Sequence, residues 1–332
     1  MNIKRWIARR EPSWQQLDGL LRQAESRGLK SLDTAQIKTL ASLYRSVSGD
    51  LARARTQQVG PETVRQLQQL TSRSYSQIYQ GSRRQDWRAA IAFYRYGFPA
   101  VVQQCWGYIA IAALLFGLSG LIGWWYGWQD PAFLSLVLGP DFVEQVRATQ
   151  ELWTVSILGR EPVASSAIMI NNISVALRAI CGGVAFYLPT VPMVTPPGVF
   201  TLFLMSFNGL MIGAVATLVA QTNLAYELWA FVLPHGALEL PAIFLAGGAG
   251  LLLARGILLP GRYRRLDALR IYGLQAAKLV YGIVPMLVIA GVIEGFFSPS
   301  PFVPAPFKYL TGAILLLLLT LYCLQRPPAP ST

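Results

Sequence analysis

His235 and Glu239 are the residues of this chain best placed to do chemistry. His235 is the only histidine, and both lie in the apolar stretch Leu233–Gly261, LPHGALELPAIFLAGGAGLLLARGILLPG. A spacing of four puts the two side chains on one face of a helix. An imidazole and a carboxylate in apolar surroundings can relay a proton, hold a solute or lock neighbouring helices by hydrogen bonds. Other apolar stretches carry Asn171, Asn172 and Arg178, then Asn208, and a further one ends with Glu294. Polar groups inside a membrane are costly, so they face a bundle interior and find partners.

Three readings compete for this set. The first is a hydrogen-bonded knot that fixes helix packing, with the asparagines and a neutral His235 bridging three spans. The second is a transport or proton-relay site in which Glu239 and His235 titrate. The third, a zinc or hydrolase site, is the weakest. HxxxE supplies two ligands on one face, but the chain has no second histidine, no HExxH and no GxSxG-type context for a serine nucleophile. The expectation is therefore no enzyme, no cofactor and no metal.

The elements that must position these residues follow from composition. Of 332 residues 53% are hydrophobic and 13% charged, and the mean hydropathy is +0.41. Soluble domains carry about a quarter charged residues. The long apolar runs from Cys105 onward predict an all-α fold, a polytopic bundle of about six transmembrane helices preceded by a small cytosolic helical domain. The spans are read as 101–128, 164–188, 199–220, 233–261, 279–297 and 307–324. Pro234 suits the start of the fourth, and Pro241, inside it, removes the hydrogen bond to the Ala237 carbonyl and should kink it.

Residues 98–326 form this domain, and 327–332 are a Pro-rich tail. Residues 1–97 read as about four helices. Their apolar stripes run through Trp14, Leu17, Leu20, Leu21 and Ala24, then Ile37, Leu40, Leu43, Tyr44, Val47 and Leu51, then Val64, Leu67, Leu70 and Ile78. Asp33 is an N-cap candidate, Gly60-Pro61 a break and Gly81 a stop. Arg84–Tyr96, mixing aromatic and arginine side chains, reads as an interfacial helix on the inner leaflet. Between the first two spans, 130–163 is acidic. Its Asp141-x-x-Glu144 resembles a capping box at the head of an amphipathic helix with Phe142, Val143 and Val146.

Charge supplies the orientation. The formal net charge is +12, and most Lys and Arg lie in residues 1–95, next to the first span. That fits inside anchoring on anionic lipid, and no basic-aromatic pattern of a nucleic-acid module accompanies it. With six spans both termini are cytosolic, the basic segment from Arg262 to Lys278 is inside and the acidic segment outside. Counted at about 1.5 Å per residue, Asn171, Asn172, His235 and Glu239 fall in the outer half, Asn208 near the middle and Arg178 deeper. No signal peptide is expected in MNIKRWIARREPSW.

Small residues mark close helix approaches: Gly182, Gly183, Gly209, Gly213, Gly236, Gly247, Gly248 and Gly250, with Pro241. They serve intrachain packing or a homodimer interface equally well. Cys105, Cys181 and Cys323 lie apart in apolar segments, without metal-ligand spacing, and read as small apolar residues.

The succession NNISVAL (171–177), NGLMIG (208–213) and LPHGALELPAI (233–243) resembles the stage II sporulation protein M family over roughly residues 100–325. The specific part is His235, Gly236, Glu239 and Pro241. The chain looks like the wider bacterial membrane branch with a cytosolic helical domain ahead of the spans. The resemblance implies a non-enzymatic integral membrane protein. In spore formers the namesake anchors peptidoglycan-degrading partners on the outer face. For this chain that implies a scaffold for envelope or membrane remodelling, bedded in the lipid bilayer. Its protein partners would be cell-wall remodelling enzymes at 130–163 outside and others at 1–97 inside. The alternative is a small-solute or ion transporter using the polar cluster.

Overall fold

The computed structural model describes residues 3–79, 87–154, 161–184, 186–188 and 193–325. The chain divides into two compact units, residues 1–89 and 90–332. The expected stop at Gly81, the start of the interfacial segment at Arg84 and the Pro-rich tail lie outside the described residues.

In the first unit, α1 (Ile3–Arg27), α2 (Thr34–Thr56) and α3 (Pro61–Tyr79) pack around Trp14, Leu17, Leu21, Leu40, Val47, Ala54, Leu67 and Leu70. The stripes seen in the sequence are these faces, except that Ile37 is exposed. Asp33 caps α2: its carboxylate accepts from the Gln36 N–H (2.7 Å), and the Gln36 side chain accepts from the Asp33 N–H (3.0 Å). Asp50 is buried in this core and accepts from Trp14 Nε1 (3.0 Å) and Arg10 Nε (2.8 Å). Arg73 joins α3 to α1, reaching Asp18 (2.6 Å) and Glu25 (2.8 Å).

Burial pushes the Asp18 carboxyl up, but hydrogen bonds from Arg73 and Arg22 together outweigh it and hold the group below its ordinary value of 3.8. A depressed folded-state value gives stability that is complete above the unfolded value and is lost as pH falls through the folded one. Arg73→Met is therefore expected to flatten the fall in the urea midpoint of residues 1–89 between about pH 5 and pH 2. An unchanged slope would mean that Asp18 gains nothing from Arg73.

The second unit starts ahead of residue 97. After α4 (Trp87–Ala92) a π-turn, 93–97, carries Phe93 against Tyr281 and Phe98, and the Tyr94 hydroxyl donates to the Tyr281 carbonyl (2.8 Å). These aromatic contacts tie 93–97 to the bundle, so the units part at Ala89–Ala90. α5 (Phe98–Gln104) breaks at Cys105, and the first span is α6 (Trp106–Gln129), shorter than 101–128 suggested at its start. α7 (Pro131–Leu138) and α8 (Pro140–Thr149) follow.

Here the capping-box reading is corrected. Gly139 occupies the N-cap of α8 at φ 91°, Pro140 the first helical position, and Asp141 lies inside the first turn. The cap in this region is Asp130, which accepts from the Ala132 N–H at the head of α7 (2.9 Å). Val143 and Val146 of α8 pack on Leu134.

The remaining spans are α9 (Glu161–Cys181), α10 (Val199–Gln221), α11 (Ala225–Leu258), α12 (Arg265–Val292, continued by a π-turn, Ile293–Phe297) and α13 (Ala305–Cys323). Together with α6 they make six helices long and apolar enough to cross a membrane. Among the described residues the only strands are β1 (Phe186–Leu188) and β2 (Met193–Thr195), an antiparallel pair.

Three expected boundaries move. α9 ends at Cys181, not residue 188, because Gly182 and Gly183 follow and a turn begins there. α11 begins eight residues early, at Ala225, after a turn in which Asn223 takes the left-handed φ of 58°. Pro234 is thus inside the helix with Pro241, and the carbonyls of Ala230 and Ala237 lose their helical partners. α12 begins at Arg265, so Arg270 and Lys278 ride on the helix and not in a loop.

α11 is the central helix, mostly buried, whereas α13 is scarcely buried. Its lower half, Ala242 to Ala254, carries Ala246, Gly247, Ala249 and Gly250 in the core. Small residues let backbones meet here. A Cβ on Gly183 would lie 2.0 Å from the Gly250 carbonyl oxygen, and one on Gly250 2.3 Å from that of Ala179. Gly247 meets Met205 and Ala112, and Gly248 meets Ile109 of α6. α10 is pressed on α6 through Gly209 and Gly213, facing the carbonyls of Phe116 and Gly120.

Candidate functional site

α9 and α11 begin, and α12 ends, at one end of the bundle. Ser165 near the start of α9 donates to the Gly291 carbonyl of α12 (2.8 Å), and Gly295 lies against the same serine. The polar residues gather here. His235 and Glu239 share the face of α11 that their spacing requires. Glu294, in the π-turn that closes α12, meets them: one ligand atom from each of the three lies within 4.8 Å of the others.

His235 is buried. Its Nδ1 is 3.1 Å from the Ser298 hydroxyl, and Phe231 packs edge-on against the ring, centroids 5.3 Å apart. Its Nε2 faces Glu294 Oε1 at 3.8 Å, longer than a hydrogen bond. Glu294 Oε2 is buried and has no partner. A cavity of about 480 Å³ opens beside the three residues, walled by Asn171, Asn172, Trp229 and Leu240 among others. Asn171 donates to the Asn172 side-chain oxygen (3.2 Å).

Of the polar residues drawn together in the sequence as one cluster, the structure gathers Asn171, Asn172, His235 and Glu239. Asn208 stays apart and donates to the Leu204 carbonyl of its own helix (2.8 Å). Arg178 is exposed near the end of α9 and lines no part of this cavity. Among the glycines, Gly236 meets only its own helix, through Val232, and with Pro241 borders cavity space instead of a neighbouring backbone. Gly182 lies against Phe200 and Thr201.

Glu294 and Ser298 also belong to the site. The sequence places Glu294 at the end of the fifth span without joining it to the cluster, and it does not single out Ser298 at all. The signal that could have joined Glu294 to the cluster is depth. A count of residues from the end of the fifth span puts it level with the heads of the second and fourth.

The arrangement brings two carboxylates and an imidazole into one low-dielectric spot beside open volume. It can bind a cation or hold protons. The cysteines take no part: all three are free thiols, Cys105 buried and Cys181 exposed.

Comparison with known proteins bears on the same residues. The family model for Stage II sporulation protein M matches residues 112–299, which contain all three motifs and the whole cluster. The chain belongs to the stage II sporulation protein M family. Residues 4–80, the first unit's three helices, match a separate domain of unknown function. Within the curated proteins the chain is similar to an uncharacterized protein, MJ0706, of Methanocaldococcus jannaschii, 27% identical over 101 residues, 30% of this chain. The match covers 45% of that relative, less than half its length. No solved structure matches. Membership of the stage II sporulation protein M family and six apolar spans together make this an integral membrane protein.

Proposed function

We propose that the chain is a non-enzymatic membrane scaffold for envelope or membrane remodelling, with both termini on the cytosolic side of a bacterial inner membrane. The observation that carries this reading is the closed half of the bundle. Beyond the cavity, α6, α9, α10 and α11 meet backbone to backbone at Gly183, Gly209, Gly213 and Gly250, which suits a rigid body that presents surfaces. On the outer side α7 and α8 form such a surface, with Glu144 and Glu151 exposed. Cell-wall remodelling enzymes or a second copy of the chain fit as partners there. A second reading, a solute or ion transporter, is favoured by the cavity and the unpartnered Glu294 carboxylate.

The two readings separate experimentally. A photo-crosslinking residue at Glu144 should trap a protein partner in native membranes. Purified protein in liposomes should pass protons and monovalent cations no faster than empty liposomes. Flux that Glu239→Gln abolishes while the protein stays folded would replace the scaffold with the transporter.

A further inference from the structure

We propose that His235, Glu239 and Glu294 form a binding site for one divalent transition-metal ion, of the Zn2+ or Mn2+ class. The inference goes beyond the scaffold reading and does not depend on it. Four observations converge on it.

The donor set is one imidazole nitrogen and two carboxylates, a combination suited to these ions and poor for a soft thiophilic one. The spacing comes next. Ligands about 2.1 Å from a tetrahedral ion lie roughly 3.4 Å apart. His235 Nε2 and Glu294 Oε1 stand at 3.8 Å, too far to bond each other and close enough to share an ion after small side-chain movements.

The third observation is the orphaned oxygen. Glu294 Oε2 is buried without any partner, and among the described residues no lysine or arginine pairs with either carboxylate. Lys308 lies nearby, but its amine donates to the Ser298 carbonyl (2.6 Å). Two carboxylates in apolar surroundings either hold protons or take compensating charge, and a 2+ ion supplies that charge in full. Finally, the shell behind the ligands has the expected form. Ser298 engages Nδ1 of His235 (3.1 Å), which leaves Nε2 turned to Glu294, as outer partners of metal-bound histidines do. The cavity beside the cluster leaves room for water ligands to complete the shell.

The test uses the purified full-length protein in lipid nanodiscs, stripped with a chelator and dialysed against Zn2+. Elemental analysis should return one Zn2+ per chain, with a rise in the thermal midpoint over the stripped form. Co2+ loaded in its place should give visible d–d absorption. Glu239→Gln and Glu294→Gln should each lose the bound ion. Ser298→Ala should keep it with affinity weakened roughly 10–100-fold.

Because a glutamine variant can fail to fold, the Co2+ spectrum of the unaltered protein stands as an independent readout. Wild-type protein that takes up no Zn2+ and gives no Co2+ band overturns the proposal. So does equal Zn2+ uptake by a folded Glu239→Gln/Glu294→Gln double variant. Loss of partner recovery at Glu144 would leave metal binding untouched, so the two proposals fail separately.

Discussion

Replacing Gly213 with leucine should abolish the folded six-helix unit. A Cβ there would lie 2.0 Å from the Gly120 carbonyl oxygen and 2.7 Å from the Trp124 nitrogen. Both are backbone atoms, which cannot swing aside as a side-chain tip can. α10 would have to part from α6, and the seam from Gly209 to Thr217 would open with it. Thr217 now donates across that seam to the Trp124 carbonyl (2.9 Å), and separation would break this bond. Overpacking a well-filled core costs about 1–3 kcal/mol when side chains can relax; here, where they cannot, about 3 kcal/mol is a lower figure. Size-exclusion chromatography in detergent should show loss of the monodisperse species and a lower thermal midpoint. Gly117→Leu is the matched control. It lies on α6, where an added Cβ meets nothing within 4 Å, and the midpoint should hold. Equal damage from both would show that the backbone contact is not the cause.

Asp50→Ala carries the second-largest expected effect, in the first unit. The carboxylate is the common acceptor of the Trp14 indole and the Arg10 guanidinium, and Arg10 also reaches Ser46. Removing it strands a fully enclosed N–H and a partly enclosed cation. Leaving buried donors or charges unpaired costs about 1–3 kcal/mol per group, more for a charge, so a loss of about 3 kcal/mol is expected. Urea denaturation followed by far-ultraviolet circular dichroism of residues 1–89 reads it. Asp50→Asn should recover part of the loss, since its amide oxygen still accepts from Trp14. A loss under about 0.5 kcal/mol, the range of ordinary surface changes, would show that the network does not hold these helices.

The fold was legible because its signals are local. Six apolar runs, the stripes of α1 to α3 and the Asp33 cap each need only a few neighbouring residues to be read. The misplaced starts of α11 and α12 share one cause. Hydropathy marks where a helix is apolar, whereas the helix itself continues until its hydrogen bonds find another partner. Arg265–Lys278 is polar enough to read as a loop and is nonetheless the first half of α12. Pro234 reads as a helix start by its chemistry, yet the nine residues before it, mostly apolar or aromatic, already turn helically.

At the site, His235 with Glu239 follows from a spacing of four. The meeting with Asn171 and Asn172 follows from equal depth. Glu294 joins from 55 residues further on, and Asn208 turns back to Leu204. Neither outcome is visible in spacing, since a short amide side chain can satisfy itself on its own helix as readily as across to another.

The length of α11 has a consequence for where the cluster sits. At about 1.5 Å per residue its 34 residues reach roughly 51 Å, well over the 30 Å of a hydrocarbon core. Arg255 near its end is held by the Tyr108 and Tyr272 hydroxyls, a cation ringed by phenols as suits one headgroup layer. His235 is 20 residues back, about 30 Å along the axis. α11 therefore acts as a ruler laid across the bilayer. With Arg255 at one boundary, the imidazole comes level with the opposite one, at the edge of the hydrocarbon core and not at its centre.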